Sequence, residues 1–389
     1  MGRDRRTLAW VIFGNFLMYY GFRMWETMFT NFAVEELRLG PATIGVVQAV
    51  REVPGLLGFA MSFLAMRMRE SRIMVGALLL LGGGFLLTSQ ARLVSLLMLG
   101  ALIMSFGNHY FYAANSALML LIVDKQRVAK VLGQVGSLGA LASISATVTV
   151  FLISGMWGYR AIFAGVGTAI VVGALLLVPL GRNIQSGGSR HTRGRIVLRR
   201  RYWVYYLLAF LMGARAQVSV TFGILLLVRE YGIPVQTTAA LFLMISLLNI
   251  GGYWVVGSII ARFGERLSLS LVFISATVIF LGYSFVTYLP ALFVLFVMDE
   301  VLFSFNIALI TYFQKIAVEP EEITSNVSVQ QTLVHLAAVV VPVIGGAVWE
   351  LFGRQLPFLV GVGITLIALV LTQFMRYTPE PATEPTATG

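Results

Sequence analysis

The sequence of 389 residues contains no cysteine and three histidines, and Asp, Glu, Lys and Arg together make up only 12% of it. The missing cysteine excludes disulfide frameworks and thiolate zinc sites, and it leaves the redox compartment unmarked. The shortage of charge excludes more. A soluble globular chain carries about 25% charged and about 45–50% apolar residues, whereas the apolar share here is 58%. So little charge cannot cover a water-soluble fold of this size. So much apolar residue excludes a disordered chain, a collagen-like fibre or a coiled coil. The apolar runs are about 20 residues long, as at 73–89 and 161–180, not the ten-residue alternating segments of a membrane barrel. The expected class is an all-α polytopic membrane protein.

Twelve runs can be marked, near 8–34, 42–66, 73–90, 94–123, 131–155, 161–181, 202–228, 236–261, 267–286, 290–314, 323–350 and 355–375. The first follows Arg3, Arg5 and Arg6, as a signal peptide would. It is too long for one, holds Arg23 and Glu26, and lacks a small-x-small cleavage site, so it is expected to remain as the first span.

Lys and Arg sort by loop. The N-terminus and every second loop hold Arg3, Arg5, Arg6; Arg67, Arg69, Arg72; Lys125, Arg127, Lys130; seven arginines between Arg182 and Arg201; Arg262, Arg266; Lys315; and Arg376. The alternate loops hold one each: Arg38, Arg92, Arg160, Arg229 and Arg354. This bias places both termini in the cytoplasm of a protein of the plasma (inner) membrane. The net charge of +11 is then mostly a topology signal. Nucleic-acid binding is not expected, because the arginines sit in short loops between spans. Residues 315–322 break the pattern, setting Lys315 against Glu319, Glu321 and Glu322.

The longest polar connection, 182–201, divides the chain into an N-terminal six-span bundle (1–181), a basic cytoplasmic linker, a C-terminal six-span bundle (202–376) and a Pro/Thr-rich tail (377–389) expected to be disordered. Shifting one half by 195 residues sets Glu35 on Glu230, Arg67 on Arg262, Glu70 on Glu265, Val123-Asp124 on Val318-Glu319, Gly158 on Gly353 and Phe163 on Phe358. One offset serving separate places along the chain points to duplication. Two related six-span halves imply a transporter with its solute held between them near mid-bilayer.

A loop motif strengthens this. Gly257-Ser-Ile-Ile-Ala-Arg262-Phe-Gly264-Glu-Arg266 follows the eighth span, and a degenerate copy, Ser62-Phe-Leu-Ala-Met-Arg67-Met-Arg69-Glu70-Ser71, follows the second. These resemble the G-x-x-x-D-R-x-G-x-R motif of the major facilitator superfamily, with Ala261 at the acidic position. Gly158-Tyr-Arg160-Ala-Ile-Phe163 is similar to that family's G-W-R-x-x-F. The resemblance covers all twelve spans and implies two pseudo-symmetric six-helix bundles that rock by alternating access. Ile103 stands where proton-coupled drug exporters of the family carry an arginine. The span-5 motif G-P-x-x-G-G is absent, with a partial echo at Pro342-Val-Ile-Gly345-Gly346 in span 11.

A charge in the bilayer core costs several kcal/mol on the lower scales, so each one needs a reason. The spans hold Arg23 and Glu26, Arg51 and Glu52, His109, Arg215, Asp299 and Glu300, and His335, with Glu350 expected at the interfacial end of span 11, while spans 3, 6, 9 and 12 hold none. In the family those four spans are the outer supports. Helical spacing sets Asn15, Tyr19, Arg23 and Glu26 on one face of span 1, and Thr324, Ser328, Gln331 and His335 on one face of span 11. Asp299 and Asn306 are expected to share a face of span 10, and Asn108, Tyr112 and Asn115 a face of span 4, with His109 beside it. At about 1.5 Å per residue, Arg51, Asp299 and His335 lie roughly 14–18 Å into their spans, about mid-bilayer.

Arg23, Arg51 and Arg215, with Asn15, Tyr19, Asn108, His109, Tyr112, Asn306 and Gln331, are candidates for solute or gate contacts. Asp299, Glu300, Glu26, Glu52 and His335 are candidates for proton coupling. Bland readings stand beside these. Arg23 and Glu26, i and i+3, can neutralise each other. Arg51 and Glu52 are expected to point apart and pair with other spans. Arg215 keeps its charge at any working pH, so it binds an anionic group or pairs with Asp299 or Glu300. Tyr19, Tyr20, Phe22, Trp25, Tyr110, Phe111 and Phe303 crowd the same stripes and imply a solute with an apolar or aromatic body.

No G-x-x-x-x-G-K-[ST] loop, H-E-x-x-H pair or acidic calcium loop occurs, so no cofactor, resident metal or enzymatic activity is expected. The expected function is secondary active transport of a small organic solute by a monomer, driven by protons. The alternatives are efflux of amphipathic drugs, cations or lipids and, less favoured because His109 and His335 are on separate helices, divalent metal transport. The cysteine-free background makes the topology directly testable. A membrane-impermeant thiol reagent should label Arg92→Cys in intact cells and Ser186→Cys only after permeabilisation; the opposite pattern would overturn the orientation.

Overall fold

In lipid every backbone N–H and C=O must be satisfied within the chain, which leaves the apolar runs no option but helix. The computed structural model describes residues 2–59, 64, 67–122, 128–181, 184, 198–319 and 321–377. Most of the linker, the tail beyond residue 377, the Val123-Asp124 pair and the side chains of Arg3, Arg5, Lys130 and Thr324 lie outside the described residues.

The N-terminal half comprises α1 (Gly2–Asn31, continued by a π-turn, Phe32–Glu36), α2 (Pro41–Leu56), α3 (Glu70–Ser89), α4 (Val94–Ile122), α5 (Val128–Ile153) and α6 (Tyr159–Gly181). In the other half α7 (Trp203–Gln217) runs on through π-helical turns at Val218–Gly223 and Leu226–Glu230. The stretch Val235–Phe285 is helical over 51 residues, about 77 Å at 1.5 Å per residue, more than twice a bilayer core of about 30 Å. It breaks at Gly264, whose φ of 77° suits glycine, into α8 (235–263) and α9 (265–285). The tenth element, α10, runs from Leu289–Val301 through a 3-10 turn, Leu302–Phe305, to Asn306–Ile316. Then come α11 (Glu321–Phe352) and α12 (Gln355–Thr372), parted by Gly353 at φ 92°.

The pairing of helices repeats. In the first half α1 packs on α5 and α6, α2 on α4, and α3 on α6; in the second α7 packs on α11 and α12, and the α8–α9 stretch on α10 and α12. The offset of 195 shows in detail. Glu70 and Glu265 open α3 and α9 and are each 2% exposed, and Phe163 and Phe358 are both fully buried. Glu35 and Glu230 fall in the π-turns that end α1 and the α7 continuation. The halves meet along α2–α11 and α5–α8.

That contact is tight at one end and open at the other. A Cβ on Gly45 would lie 2.0 Å from the Pro342 carbonyl oxygen, and one on Gly346 2.5 Å from that of Pro41. Small residues here let two backbones touch, the device helices use where lipid gives no hydrophobic drive. At the same end Asn31 donates to the Ile233 carbonyl at 2.9 Å and accepts from the Thr238 hydroxyl at 2.9 Å. Arg229 donates to the Leu39 carbonyl at 3.1 Å, and the Ala42 amide to Glu350 at 3.1 Å. At the other end a Cβ on Gly58, Gly136, Gly251 or Gly257 would meet nothing within 4 Å among the described residues, and Gln134, Ser137, Ser258, Ser328 and Gln331 are exposed. The helices that close one mouth part at the other.

Each half carries a buried polar tie. Asn15 and Asn115 exchange amide hydrogen bonds at 2.9 and 3.1 Å, joining α1 to α4. Arg215, 2% exposed, pairs with Asp299, 1% exposed, and also donates to the Asp299 carbonyl at 3.1 Å, joining α7 to α10. Within 315–322 the Glu321 side chain lies outside the described residues, and Glu319 lies 3.7 Å from Arg199. Glu322 takes the Arg199 guanidinium and the Tyr202 hydroxyl, and Lys315 pairs with Glu265 at 2.7 Å. Burial alone would raise the Glu265 carboxyl, but hydrogen bonds from Lys315 and Tyr377 hold it below its ordinary value.

Two local expectations fail. Arg51 and Glu52 do not point apart; they pair with each other at 2.7 Å, since both side chains are long enough to curl round the helix, while Glu52 also reaches another span and meets His335 at 3.0 Å. Asp299 and Asn306 do not share a face. Asp299 is buried and Asn306 exposed, because the 3-10 turn between them advances about 120° per residue, not 100°.

Two outcomes test these packing claims. Gly45→Val should wedge α2 from α11 and hold the closed mouth open, seen as a longer spin-label distance between Arg38→Cys and Gln355→Cys. Arg215→Ala and Asp299→Ala should each destabilise the detergent-solubilised protein by about 3–5 kcal/mol, while Arg215→Met with Asp299→Leu should restore most of the loss in thermal unfolding.

Candidate functional site

Where the halves meet, a cavity of about 110 Å³ is lined from both sides. From the first half come Arg23, Trp25, Glu26, Phe29 and Thr30 of α1 with Gln48 and Arg51 of α2. From the second come Val220 and Ile224 of the α7 continuation, Phe242 of α8, and Phe296 and Glu300 of α10. That volume has room for several waters. The π-turn Val218–Gly223 bears on it directly, for the extra residue per turn presents Val220 to the cavity.

The charges there are mostly matched. Arg23 and Glu26 pair at 3.1 Å, each about a quarter exposed, and Arg23 also lies over the Phe242 ring at 5.3 Å, across the boundary between halves. Arg51 is held by Glu52 at 2.7 Å and its carbonyl accepts from Ser105 of α4. Glu300 has no ion-pair partner among the described residues. Its neighbour Asp299 is committed to Arg215, which in turn stacks on Phe303 at 4.7 Å. Four side chains of the lining carry a buried polar atom with no hydrogen-bond partner: Arg23 Nε, Trp25 Nε1, Gln48 Oε1 and Arg51 Nε. Buried polar groups are usually satisfied, so these four atoms are open to a hydrogen-bonding partner in the cavity.

Beside the cavity is a second constellation. Glu52 of α2 meets His335 of α11 at 3.0 Å, and His109 of α4 sets its ring edge-on to His335 at 4.9 Å between centroids. Gly55 makes room, since a Cβ there would lie 2.5 Å from the His335 ring.

Of the residues singled out from sequence, Arg23, Glu26, Arg51 and Glu300 line the cavity, and Glu52, His109 and His335 gather next to it. Tyr19 and Tyr112 meet edge-on at 5.6 Å between α1 and α4. Asn15 is taken up by Asn115, and Arg215 with Asp299 by each other, away from the lining. Asn108 is buried with an unpartnered Oδ1, while Asn306 and Gln331 are exposed. The loop-motif residues Arg67, Arg262 and Gly257 are exposed; Gly264 makes the α8–α9 break, and Arg266 donates to Gln373 at 3.1 Å. Tyr159 donates to Glu35 at 2.7 Å and Arg160 pairs with Glu36, so the Gly158-Tyr-Arg160 motif fastens the start of α6 to the end of α1.

Sequence reasoning passed over Gln48, Thr30 and the clasp residue Asn31. Each is a polar residue in a largely apolar run, the signal that picked out Asn15 and Asn108. Thr30 continues the stripe Asn15–Tyr19–Arg23–Glu26 by a further step of four, whereas Gln48 and Asn31 lie on no stripe marked from the sequence.

The fold is shared with solved transporters. A mutant of the nucleoside transporter NupG matches with a TM-score of 0.81 at 14% identity, over 95% of this chain and 99% of that one. A bacterial homolog of the human lysosomal transporter Spinster, in an inward-facing and occupied conformation, matches with a TM-score of 0.78 at 14% identity, over 97% and 99%. No curated protein sequence matches. The Major Facilitator Superfamily model matches residues 11–318. The chain therefore belongs to the Major Facilitator Superfamily, a family of membrane transporters.

Proposed function

We propose that this chain moves a small organic solute by alternating access about the cavity between its halves, coupled to protons. The observation that carries the reading is the lining itself. Both halves contribute to it, and it combines four ionisable side chains with Trp25, Phe29, Phe242 and Phe296. Aromatic walls suit a flat apolar body, and the charges suit a polar or ionised substituent. The nucleoside transporter among the similar structures makes nucleosides a natural first class to screen. With both termini in the cytoplasm of the inner membrane, the closed mouth faces outward and the open one inward.

Glu300 is the proposed proton carrier. It is the one acid of the lining with no ion-pair partner among the described residues, since Glu26 pairs with Arg23, whereas Asp299 already answers Arg215. A second reading, export of amphipathic cations, gains from the same residue. Arg23 is balanced by Glu26 and Arg51 by Glu52, so Glu300 leaves the cavity with one unmatched negative charge. A cation and a proton would then compete for it, which is the logic of an exchanger.

Proteoliposome flux with a panel of nucleosides and amphipathic cations, under pH gradients of either sign, tests both. Flux should follow the gradient in the wild type, and Glu300→Gln should remove that dependence. A wild type whose flux with every solute ignores the gradient would falsify the proton claim. The direction of gradient that accelerates accumulation separates uptake from export.

A further inference from the structure

The cluster beside the cavity is not used by the proposed transport step, and its chemistry is of a different kind. One carboxylate and two imidazoles from three helices converge so that their ligand atoms all lie within 4.8 Å of one another. We propose that Glu52, His109 and His335 form a binding site for a divalent transition-metal ion of the zinc type, and that occupancy pins the two halves in the arrangement seen here.

The donor set is suited to such an ion, for two histidines and one carboxylate with an open fourth position is an established coordination pattern for Zn²⁺. Bonds of about 2.0–2.1 Å in a tetrahedron set ligand atoms about 3.3 Å apart. The Glu52 Oε2 to His335 Nδ1 separation is already 3.0 Å, and modest rotation of His109 brings in the third. On binding, the ion takes the place of the proton shared between those two atoms. The surroundings are built for it. Arg51 holds only Oε1 of Glu52, which leaves Oε2 free and gives the carboxylate the second-sphere hydrogen bond that ligating carboxylates commonly have. Gly55 admits the His335 ring against α2. The Arg51 charge lowers affinity without blocking the site, and water supplies the remaining ligand, as at other zinc sites with three protein ligands.

The clamping follows from where the ligands originate. Glu52 and His109 belong to the first half and His335 to the second, so the full set exists only while α2 and α11 stay in contact at this depth. A ligand shifts a conformational equilibrium by its difference in affinity between states. An ion that needs both halves therefore favours this state and slows the cycle.

The chain helps the test, having no cysteine and only one further histidine, His191. Calorimetric titration of Zn²⁺ into the full chain, purified with a histidine-free tag, should show one equivalent bound. His109→Ala, His335→Ala and Glu52→Gln should each weaken binding by at least about ten-fold, and His191→Ala should not. Co²⁺ bound to the unmodified chain should give the intense ligand-field spectrum of a four-coordinate site, a readout that needs no variant. Zn²⁺ should also shift the spin-label distances between Arg38→Cys and Gln355→Cys toward the shorter population. Absence of Zn²⁺ binding at millimolar concentration, affinity indifferent to His335→Ala, or a six-coordinate Co²⁺ spectrum would overturn the site. Unchanged label distances with Zn²⁺ bound would overturn the clamp. None of these measurements depends on solute or proton coupling.

Discussion

An ionised side chain in a bilayer core must find an opposite charge or water, and nearly every polar feature of this molecule is a response to that constraint. Arg215 answers it with a partner. It is sealed among helices with Asp299, where the two together are tolerated and either one alone would be an uncompensated buried charge. Arg23 and Glu26 answer it more loosely, partly exposed and facing a cavity. Glu300, without an ion-pair partner among the described residues, is the one most dependent on what enters that cavity. The gradient from sealed pair to open pair to lone acid runs from α7 to the space between the halves, and it separates the sealed tie of the bundle from the charges that face the cavity.

The same constraint shaped how much was legible in the sequence. Twelve apolar runs, the duplication and the avoidance of spans 3, 6, 9 and 12 by charge are global patterns, and they carried the fold. Glu70 and Glu265, or Phe163 and Phe358, occupy equivalent places because duplicated halves inherit equivalent packing. What was illegible is local or long-range. The 3-10 turn at Leu302–Phe305 rotates Asn306 away from Asp299, and nothing in the motif marks it. Arg51 and Glu52 pair as neighbours despite their helical directions. His335 and Glu52 are 283 positions apart, and only the docking of α11 on α2 makes them a unit. The two histidines, on separate helices in sequence, are brought ring to ring by it.

The choice between roles for Arg215 shows the limit most plainly. An arginine in the seventh span with acids in the tenth fits either an anion site or an internal tie. Helical periodicity gives the face of each residue and not the distance between faces, and distance decides between the two.

The Asn31 side chain joins Ile233 and Thr238 across the mouth, one hydrogen bond given and one received. Each is worth about 0.5–1.5 kcal/mol net once water can replace it. A latch of that strength keeps the door shut against thermal noise yet yields to modest force. It is the sort of fastening a machine needs when it must undo and refasten the same seam on every trip, with the cargo's own grip supplying the difference.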